Sequence, residues 1–324
     1  MKRLAVLTSG GDAPGMNAAI RAAVRKALHA GLEVWGVEYG YNGLIKGHMK
    51  PLEYQDVGNI LQRGGTVLKT ARSTQFPTPE GQEMAMRELE RRGIEGLVVI
   101  GGDGSFRGAQ LLGKKGIAIA GVPGTIDNDI YGTDYTIGYD TAVNTVLDAI
   151  NKIRDTASSH KRIVIIEVMG RDSGWIALSS GLAGGAEFVI VPEIPHDLDF
   201  VSDKIIRGMN QGKEHSIVIV AEGAAHGFDV GERLRISTGY DTRVTVLGHI
   251  QRGGSPTAFD RILATRLGAA AVDVLLEGTS NVMVGLTGNQ ISVQCLDDVI
   301  GHKKGLDVSL YELEAILASR AHPQ

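Results

Sequence analysis

The placement of glycine constrains the fold of this chain more than any other feature of its sequence. There are 44 glycines in 324 residues, and they do not form a low-complexity tract. They fall singly or in pairs just after short apolar runs. Leu97-Val98-Val99-Ile100 runs into Gly101-Gly102-Asp103-Gly104-Ser105, and Ile117-Ala118-Ile119-Ala120 runs into Gly121-Val122-Pro123-Gly124-Thr125-Ile126-Asp127-Asn128-Asp129. An unbroken apolar run closed by glycine reads as a strand buried on both faces, the kind that builds parallel sheets. Neighbouring parallel strands bring both loops to the carboxyl edge of one sheet, where open α/β folds hold ligands.

The same unit recurs along the chain. Leu4–Thr8 reads as the first strand, Ser9–Gly15 as its loop and Met16–Ala30 as a helix. Glu33–Val37 follows as a strand, Tyr39–Gly47 as a glycine-rich turn, Glu53–Gln62 as a short helix and Thr78–Arg92 as another. Tyr139–Ala157 carries Val143, Val146, Leu147, Ile150 and Ile153 at helical spacing. The pattern then restarts: strand Arg162–Val168, helix Ser173–Ala183, strand Glu187–Val191, helix Asp199–Gln211, strands Ser216–Ala221 and Arg243–Leu247, and helix Thr257–Leu276. A possible hairpin (Val282–Leu286 with Gln290–Val293) and a helix over Ser309–Ser319 close the chain. This alternation predicts an α/β fold with two doubly wound, largely parallel-sheet lobes, switching near residue 140.

Composition narrows the function classes. Lys and Arg number 33 against 37 Asp and Glu, a formal net charge of −4, which argues against a general nucleic-acid binder. Aromatic residues make up 5 %, too few to favour a base-stacking platform. No apolar run reaches the roughly 20 residues of a membrane span, so no membrane partner is expected. The lone Cys295 is compatible with a reducing cytoplasm. Neither GxGxxG nor GxxxxGK[ST] occurs, so the common dinucleotide and P-loop fingerprints are absent.

Several groups could carry chemistry. A strand, glycine loop and helix in succession form an anion site, because the helix start offers unspent N–H groups and partial positive charge. Asp103 and Ser105 could simply cap the following helix, but capping alone does not require three glycines. A carboxylate beside polyphosphate is a natural Mg²⁺ ligand. Asp127 and Asp129, two apart in an extended loop, could supply the base that takes a hydroxyl proton; an Asx turn is the structural alternative. Arg162, Arg171, Arg243, His249 and Arg252 fall at predicted strand ends, and several guanidinium groups at ligand-facing loops suit a sugar phosphate. Glu222 is an acid among them. Arg21 and Arg25, at i,i+4 on one helix, repel unless an anion faces them. Lipid and NAD kinases also carry GGDG-type loops.

Taken together the motifs resemble the ATP-dependent 6-phosphofructokinases of the bacterial type. Ser9–Ala18, GGDGS (Gly101–Ser105), PGTIDND (Pro123–Asp129), MGR (Met169–Arg171), AEG (Ala221–Gly223) and GHIQRGG (Gly248–Gly254) match in order across essentially the whole chain. The resemblance implies transfer of the γ-phosphoryl of MgATP to the 1-hydroxyl of fructose 6-phosphate, in a cleft between the lobes of a cytoplasmic homotetramer. It implies an ATP-binding lobe of residues 1–138 with 251–304, and a fructose 6-phosphate lobe of residues 139–250 with 305–324. Carried over by motif, Gly11, Arg72, Ser73, Gly102, Asp103, Gly104 and Ser105 lie on the ATP side, with Asp103 handling Mg²⁺. Asp127 is the base, Thr125 and Arg171 stabilise the transferring group, and Asp129 supports them. Ile126, Met169, Gly170, Glu222, His249, Ile250, Gln251 and Arg252 join them at the sugar phosphate, with Arg162 and Arg243 supplied by a neighbouring subunit.

Donor and effector expectations follow from the same resemblance. Pyrophosphate-dependent relatives carry Asp at position 104 and Lys at position 124. Gly104 and Gly124 therefore favour ATP over a pyrophosphate-dependent reading, and the intact Asp103, Asp127 and Arg171 disfavour a catalytically silent sensor. An effector site for ADP and phosphoenolpyruvate is implied at Arg21, Ala22, Ala23, Val24, Arg25, Arg154, Gly185, Ala186, Glu187, Gln211 and Lys213. Tyr54, Asn59, Gln211 and Glu214 depart from the residues relatives often carry there. The loss of a cation at 211 and the gain of an anion at 214 predict weak effector binding.

Overall fold

The computed structural model describes residues 1–318. From the amino end the elements are β1 (Arg3–Thr8), α1 (Met16–His29), β2 (Glu33–Val37), α2 (Gly40–Ile45), β3 (Met49–Pro51), α3 (Pro79–Arg91), β4 (Gly96–Gly101), α4 (Asp103–Gly113) and β5 (Ala118–Pro123). The middle of the chain holds α5 (Tyr139–Ser158), β6 (Ile163–Val168), α6 (Trp175–Gly184), β7 (Phe188–Ile190), α7 (Leu198–Asn210), β8 (Ser216–Ala221), α8 (Gly227–Thr238) and β9 (Thr242–Val246). A 3₁₀ turn (Gly248–Arg252), α9 (Ala258–Leu276), β10 (Val282–Thr287), β11 (Gln290–Cys295), α10 (Leu296–Gly301) and α11 (Val308–Leu317) complete it. The chain divides into two compact units. The first is Met1–Thr141 with Arg252–Lys304; the second is Ala142–Gln251 with the described part of the segment that begins at Gly305.

In the first unit a seven-stranded sheet has the order β11-β10-β5-β4-β1-β2-β3. The central strands are parallel, with Thr8 opposite Ile100 and Gly101 opposite Pro123, so the ends of β1, β4 and β5 lie level. The chain moves outward one way from β1 to β2 and the other way from β4 to β5. The direction of winding therefore reverses between β1 and β4, the kind of crevice in which such sheets bind ligands. Helices α1 and α9 pack together on one face. They approach so closely that a Cβ on Gly268 would stand 2.5 Å from the Ala19 carbonyl oxygen. On the other face Ala5, Leu7, Leu97, Val99 and Ile119 meet Leu89, Phe106, Ala109 and Leu112 of α3 and α4 in a continuous core.

The second unit holds a four-stranded, wholly parallel sheet of order β7-β8-β6-β9. Ile163, Ile165, Val218 and Val220 pack beneath Val201, Ile205, Val230 and Leu234 of α7 and α8. The α/β architecture with two largely parallel sheets is the one its apolar runs predict.

Local readings differ at a few places. Tyr39–Gly47 is the short helix α2 rather than a turn. Tyr39 enters it in the left-handed region, and Gly43 lets it seat on the Glu38 carbonyl, from which a Cβ would be only 1.6 Å. Glu53–Gln62 is a run of turns, not a helix. There the Asp56 carboxylate takes the Glu53 N–H at 2.8 Å, and Asn59 adopts a φ of 52°. The edge strand β3 and the helices α8 and α10 have too little apolar periodicity to read from sequence. The expected hairpin forms from β10 and β11, and β10 also pairs in parallel with β5. Helix α11 ends at Leu317; Ser319, in the expected span, lies outside the described residues.

Candidate active site

In the first unit the loops after β1, β4 and β5 meet at the switch point. The Ser9 N–H donates to the Ile100 carbonyl at 3.0 Å, and the Gly124 N–H to the Gly101 carbonyl at 2.9 Å. Gly101 is forced by this crowding: a Cβ there would stand 2.4 Å from Ser105 Oγ and 2.5 Å from the Ser9 carbonyl. Helix α4 begins in this loop with Gly102 as its N-cap and no side-chain cap. Neither Asp103 nor Ser105 therefore caps the helix. Asp103 is half-buried on the first turn and pairs with Arg107 Nε at 3.0 Å, while Ser105 Oγ is buried and has no hydrogen-bond partner among the described residues. The Ser105 carbonyl is buttressed by Tyr41, whose hydroxyl donates to it at 2.6 Å and whose ring stacks on Phe76 at 4.1 Å. Burial pushes the Tyr41 phenol well up from its usual value. Around Gly104 there is open space: a Cβ added there meets nothing within 4 Å.

The loop after β5 is held from within. Thr125 Oγ1 accepts the Asp127 N–H at 3.2 Å, and Thr136 Oγ1 donates to the Thr125 carbonyl at 2.6 Å. Asn128, only 1 % exposed and at a φ of 50°, accepts the Thr136 N–H at 3.0 Å on its side-chain oxygen. With a turn at Ile126–Asp127 and Asn128 in the left-handed region that asparagine tolerates, the stretch from Asp127 to Asp129 is not the extended loop expected from sequence. Asp127 is 3 % exposed, and Thr125 adjoins the neighbouring loop, 3.7 Å from a Cβ built on Gly102. The phosphate-type loop and the carboxylate-bearing loop are thus in contact. Ser73 Oγ is spent on the Phe76 N–H at 3.1 Å, which fixes a turn beside the exposed Arg72.

Arg252 belongs to this unit as well. Its Nη1 donates to the Asp12 carbonyl at 3.3 Å, and its guanidinium lies so close over Gly11 that a Cβ would fall 2.3 Å from Nη1.

In the second unit the ends of β6, β8 and β9 are level. The Glu222 carboxylate accepts the N–H groups of Gly170 at 3.3 Å and Arg171 at 2.9 Å. This fixes a loop in which Gly170 has a φ of 143° and Arg171 a φ of 53°. Gly223 is obligatory there, since a Cβ would stand 1.8 Å from the Arg171 carbonyl oxygen. Gln251, wholly buried, accepts the Met169 N–H at 3.2 Å and donates to the Gly248 carbonyl at 3.0 Å. Its side chain ties two loops together and is not available to a ligand, while His249 and Ile250 beside it are exposed.

Two expectations need correction. Arg162 and Arg243 do not sit at the loop edge. Arg162 precedes β6, and Arg243 lies opposite Val164 near its beginning. They are thus a strand's length, roughly 20 Å at about 3.3 Å per residue, from Met169 and Glu222. Both reach Asp241, at 2.7 and 3.2 Å. Among the residues of the implied effector site, Ala22, Ala23 and Val24 turn into the core of the first unit. From that run only Arg21 and Arg25 reach outward, and Arg25 lies over the Tyr54 ring, 5.7 Å from its centre.

The other effector-type residues lie in the second unit. Arg154 donates to the carbonyls of Gly184 and Gly185, and Ala186 is buried. Glu187 pairs with Lys213 at 3.3 Å and accepts the Ile217 N–H at 2.6 Å. A pocket of about 140 Å³ opens there, lined in part by Glu187, Lys204, Arg207, Gln211 and Lys213.

Asp260 escaped the sequence reading. It is 0 % exposed and accepts the N–H groups of Gly138 at 2.9 Å and Thr141 at 2.8 Å, and the Thr141 hydroxyl at 2.5 Å. Burial raises its carboxyl to about 6 against these hydrogen bonds. As an aspartate in the first turn of α9 it is indistinguishable by sequence from an ordinary helix-start acid.

The comparisons with known proteins converge on one family. The phosphofructokinase family model matches residues 3–275. The ATP-dependent 6-phosphofructokinase of Halalkalibacterium halodurans is 58 % identical over 98 % of this chain and 100 % of its own length. That of Listeria welshimeri is 57 % identical with the same coverage. Among solved structures, phosphofructokinase from Saccharomyces cerevisiae superposes with a TM-score of 0.88 at 37 % identity, over 93 % of this chain and 45 % of the longer yeast chain. With its glycine loops, buried Asp127 and Glu222-anchored arginine loop, this chain belongs to the phosphofructokinase family.

Proposed function

We propose that the chain transfers the γ-phosphoryl group of MgATP to the 1-hydroxyl of fructose 6-phosphate, giving fructose 1,6-bisphosphate and ADP in the glycolytic direction. The observation that carries the reading is the junction of three loops at the β1/β4 switch point, with a buried aspartate beside a glycine cradle. The first unit acts as the ATP-binding lobe and the second as the fructose 6-phosphate lobe.

In this reading Gly11, Gly102, Gly104, Ser105, Arg72 and Ser73 receive the nucleotide. The residues fit a phosphate chain: Ser105 Oγ is buried and unspent, and Gly104 faces open space. Asp103 holds Mg²⁺. Among the described residues no three His, Cys, Asp or Glu side chains gather to bind a metal; a single carboxylate such as Asp103 would suit Mg²⁺, which in kinase sites typically takes one or two carboxylates together with substrate phosphates. When bound, it neutralises charge on the phosphates during transfer.

Asp127 accepts the proton of the 1-hydroxyl as that oxygen bonds to phosphorus, while the bond from phosphorus to the β-phosphate oxygen breaks and ADP departs with the electron pair. Thr125 and Arg171 stabilise the charge on the transferring group, and Asp129 supports the loop. Glu222, His249 and Arg252 hold the sugar phosphate with Ile126, Met169, Gly170 and Ile250. Arg162 and Arg243, at the opposite sheet edge from that set, are supplied by a second copy of the chain, within a homotetramer.

ADP and phosphoenolpyruvate act as effectors at Arg21, Arg25, Arg154, Gly185, Glu187 and Lys213. Gln211 and Glu214 weaken anion binding there. The enzyme works in the cytoplasm; among the described residues no helix is long and apolar enough to cross a membrane. A pyrophosphate donor is disfavoured, since Gly104 faces open space that a nucleotide phosphate can use and Gly124 supplies no extra cation for pyrophosphate. A coupled assay with fructose 6-phosphate and ATP, GTP or pyrophosphate, with and without Mg²⁺, tests the reading. Rapid, Mg²⁺-dependent ADP formation is expected; pyrophosphate outperforming ATP would overturn it.

A further inference from the structure

We infer that Lys304 is a positioning residue for phosphoryl transfer, its ammonium fixing the loop that carries Asp127 and Asp129 through the carbonyl of Asp134. The inference rests on the function proposed above and deepens it. Lys304 lies just beyond α10, at the end of the first unit. Its Nζ donates to the Asp134 carbonyl at 2.6 Å. The same carbonyl accepts Asn128 Nδ2 at 3.3 Å, and Asn128 is the buried, left-handed residue between the two carboxylates. One carbonyl oxygen therefore joins a lysine remote in sequence to the pivot of the base-bearing loop.

Asp134 is itself held rigidly. Its N–H donates to the Leu286 carbonyl at 2.7 Å, and its carboxylate takes the Gly288 N–H at 2.6 Å. Thr133 Oγ1 also accepts the Leu286 N–H at 3.0 Å. The β10–β11 hairpin thus supplies a fixed post, and Lys304 and Asn128 tie to it. The carboxylates acting on Lys304 are those of Asp134 and Asp129. His302, two residues away, is spent on the Asp298 carbonyl at 2.8 Å and on the Tyr131 ring.

Burial lowers the Lys304 ammonium to about 8, with the carboxylates of Asp134 and Asp129 opposing the shift. The group is mainly cationic at pH 7 and mainly neutral by pH 9. Above its midpoint the Asp134 carbonyl loses a charged donor and Asp129 loses its facing cation, so turnover should fall. A purely structural tie would not make turnover follow this titration.

The experiment compares wild type, Lys304→Met and Lys304→Arg for kcat and KM from pH 6.5 to 9.5. Wild type should lose kcat on an alkaline limb near pH 8. Lys304→Met should be about ten-fold or more slower at pH 7, with the KM for ATP within about two-fold and no such limb. Lys304→Arg should keep most of kcat at pH 7 and remain active to higher pH, because guanidinium stays charged. An unchanged limb in Lys304→Arg, or normal kcat in Lys304→Met, would overturn the inference. Amide hydrogen exchange over residues 126–137, compared at matched pH, decides it without turnover. The loop should be less protected at pH 9 in wild type than in Lys304→Arg, and equal protection would refute it. An inactive wild type would count against the proposed function, and the exchange comparison would still decide the role of Lys304.

Discussion

Replacing Gly104 by aspartate should separate stability from donor binding. Gly104 is the second residue of α4, and a Cβ there meets nothing within 4 Å. The fold therefore has room for the side chain. A carboxylate in the first turn also faces the positive end of the helix, a gain of about 0.3–1 kcal/mol. Gly104→Asp should thus melt no lower than wild type. Its effect on ATP is the opposite. Two unit charges about 4 Å apart at an effective dielectric of about 20 repel by about 4 kcal/mol. Solvent and side-chain rotation reduce this to about 1.5–4 kcal/mol, or roughly 10- to 1000-fold in apparent affinity.

The assay is a coupled kinase measurement with ATP varied, run beside a thermal melt, with Gly104→Ala as the uncharged control. Gly104→Ala should keep the KM for ATP within about three-fold. Gly104→Asp should raise it at least about ten-fold, with the KM for fructose 6-phosphate little changed. An unaltered KM for ATP in Gly104→Asp would refute the claim that this glycine faces the nucleotide phosphates. A melt well below wild type would refute the claim of open space.

Two further outcomes follow from the geometry. Gly223→Ala forces the Arg171 carbonyl away from a contact of 1.8 Å, so the loop held by Glu222 must shift. Displacements near 1 Å cost about 10²-fold in catalysis. Fructose 6-phosphate turnover should fall on that order while the KM for ATP holds, and normal kinetics would contradict the loop's role. Asp260 titrates near 6 when folded and near 3.9 when unfolded, so the folded state binds more protons between these values. Its contribution is full below about pH 4 and is lost as pH rises through 6, by about 3 kcal/mol. Melts of wild type and Asp260→Asn from pH 4 to 7.5 should show wild type losing ground to the variant across that window, whereas a gap independent of pH would contradict the assignment.

The parts legible in the sequence are those written in consecutive residues. The apolar run that ends at Ile100 became β4; the run that ends at Ala120 became only the first half of β5, which continues through Gly121 and Val122 to Pro123, so that loop begins at Gly124. What could not be read depends on register and distant pairing. Gln251 resembles a ligand contact within GHIQRGG, yet its amide meets Met169 across 82 positions. Asp260 caps the start of α5 from about 120 residues away. Arg162 and Arg243 already stood at the starts of their predicted strands, and grouping them with the loop cations overlooked that direction; the pairing of Val164 with Arg243 puts both at the amino ends of β6 and β9. Glycine frequency misled over Tyr39–Gly47, where Gly43 admits a helix packed on a carbonyl rather than a turn.

The proposed base for transfer to the sugar hydroxyl is Asp127, buried in the loop that Asn128 holds. Single-turnover kinetics of Asp127→Ser with MgATP and fructose 6-phosphate test it most directly, alongside equilibrium binding of each substrate. Loss of the base should slow the chemical step by about 10²- to 10⁴-fold, with both substrates bound within a few-fold of wild type. A chemical step within ten-fold of wild type would contradict the account.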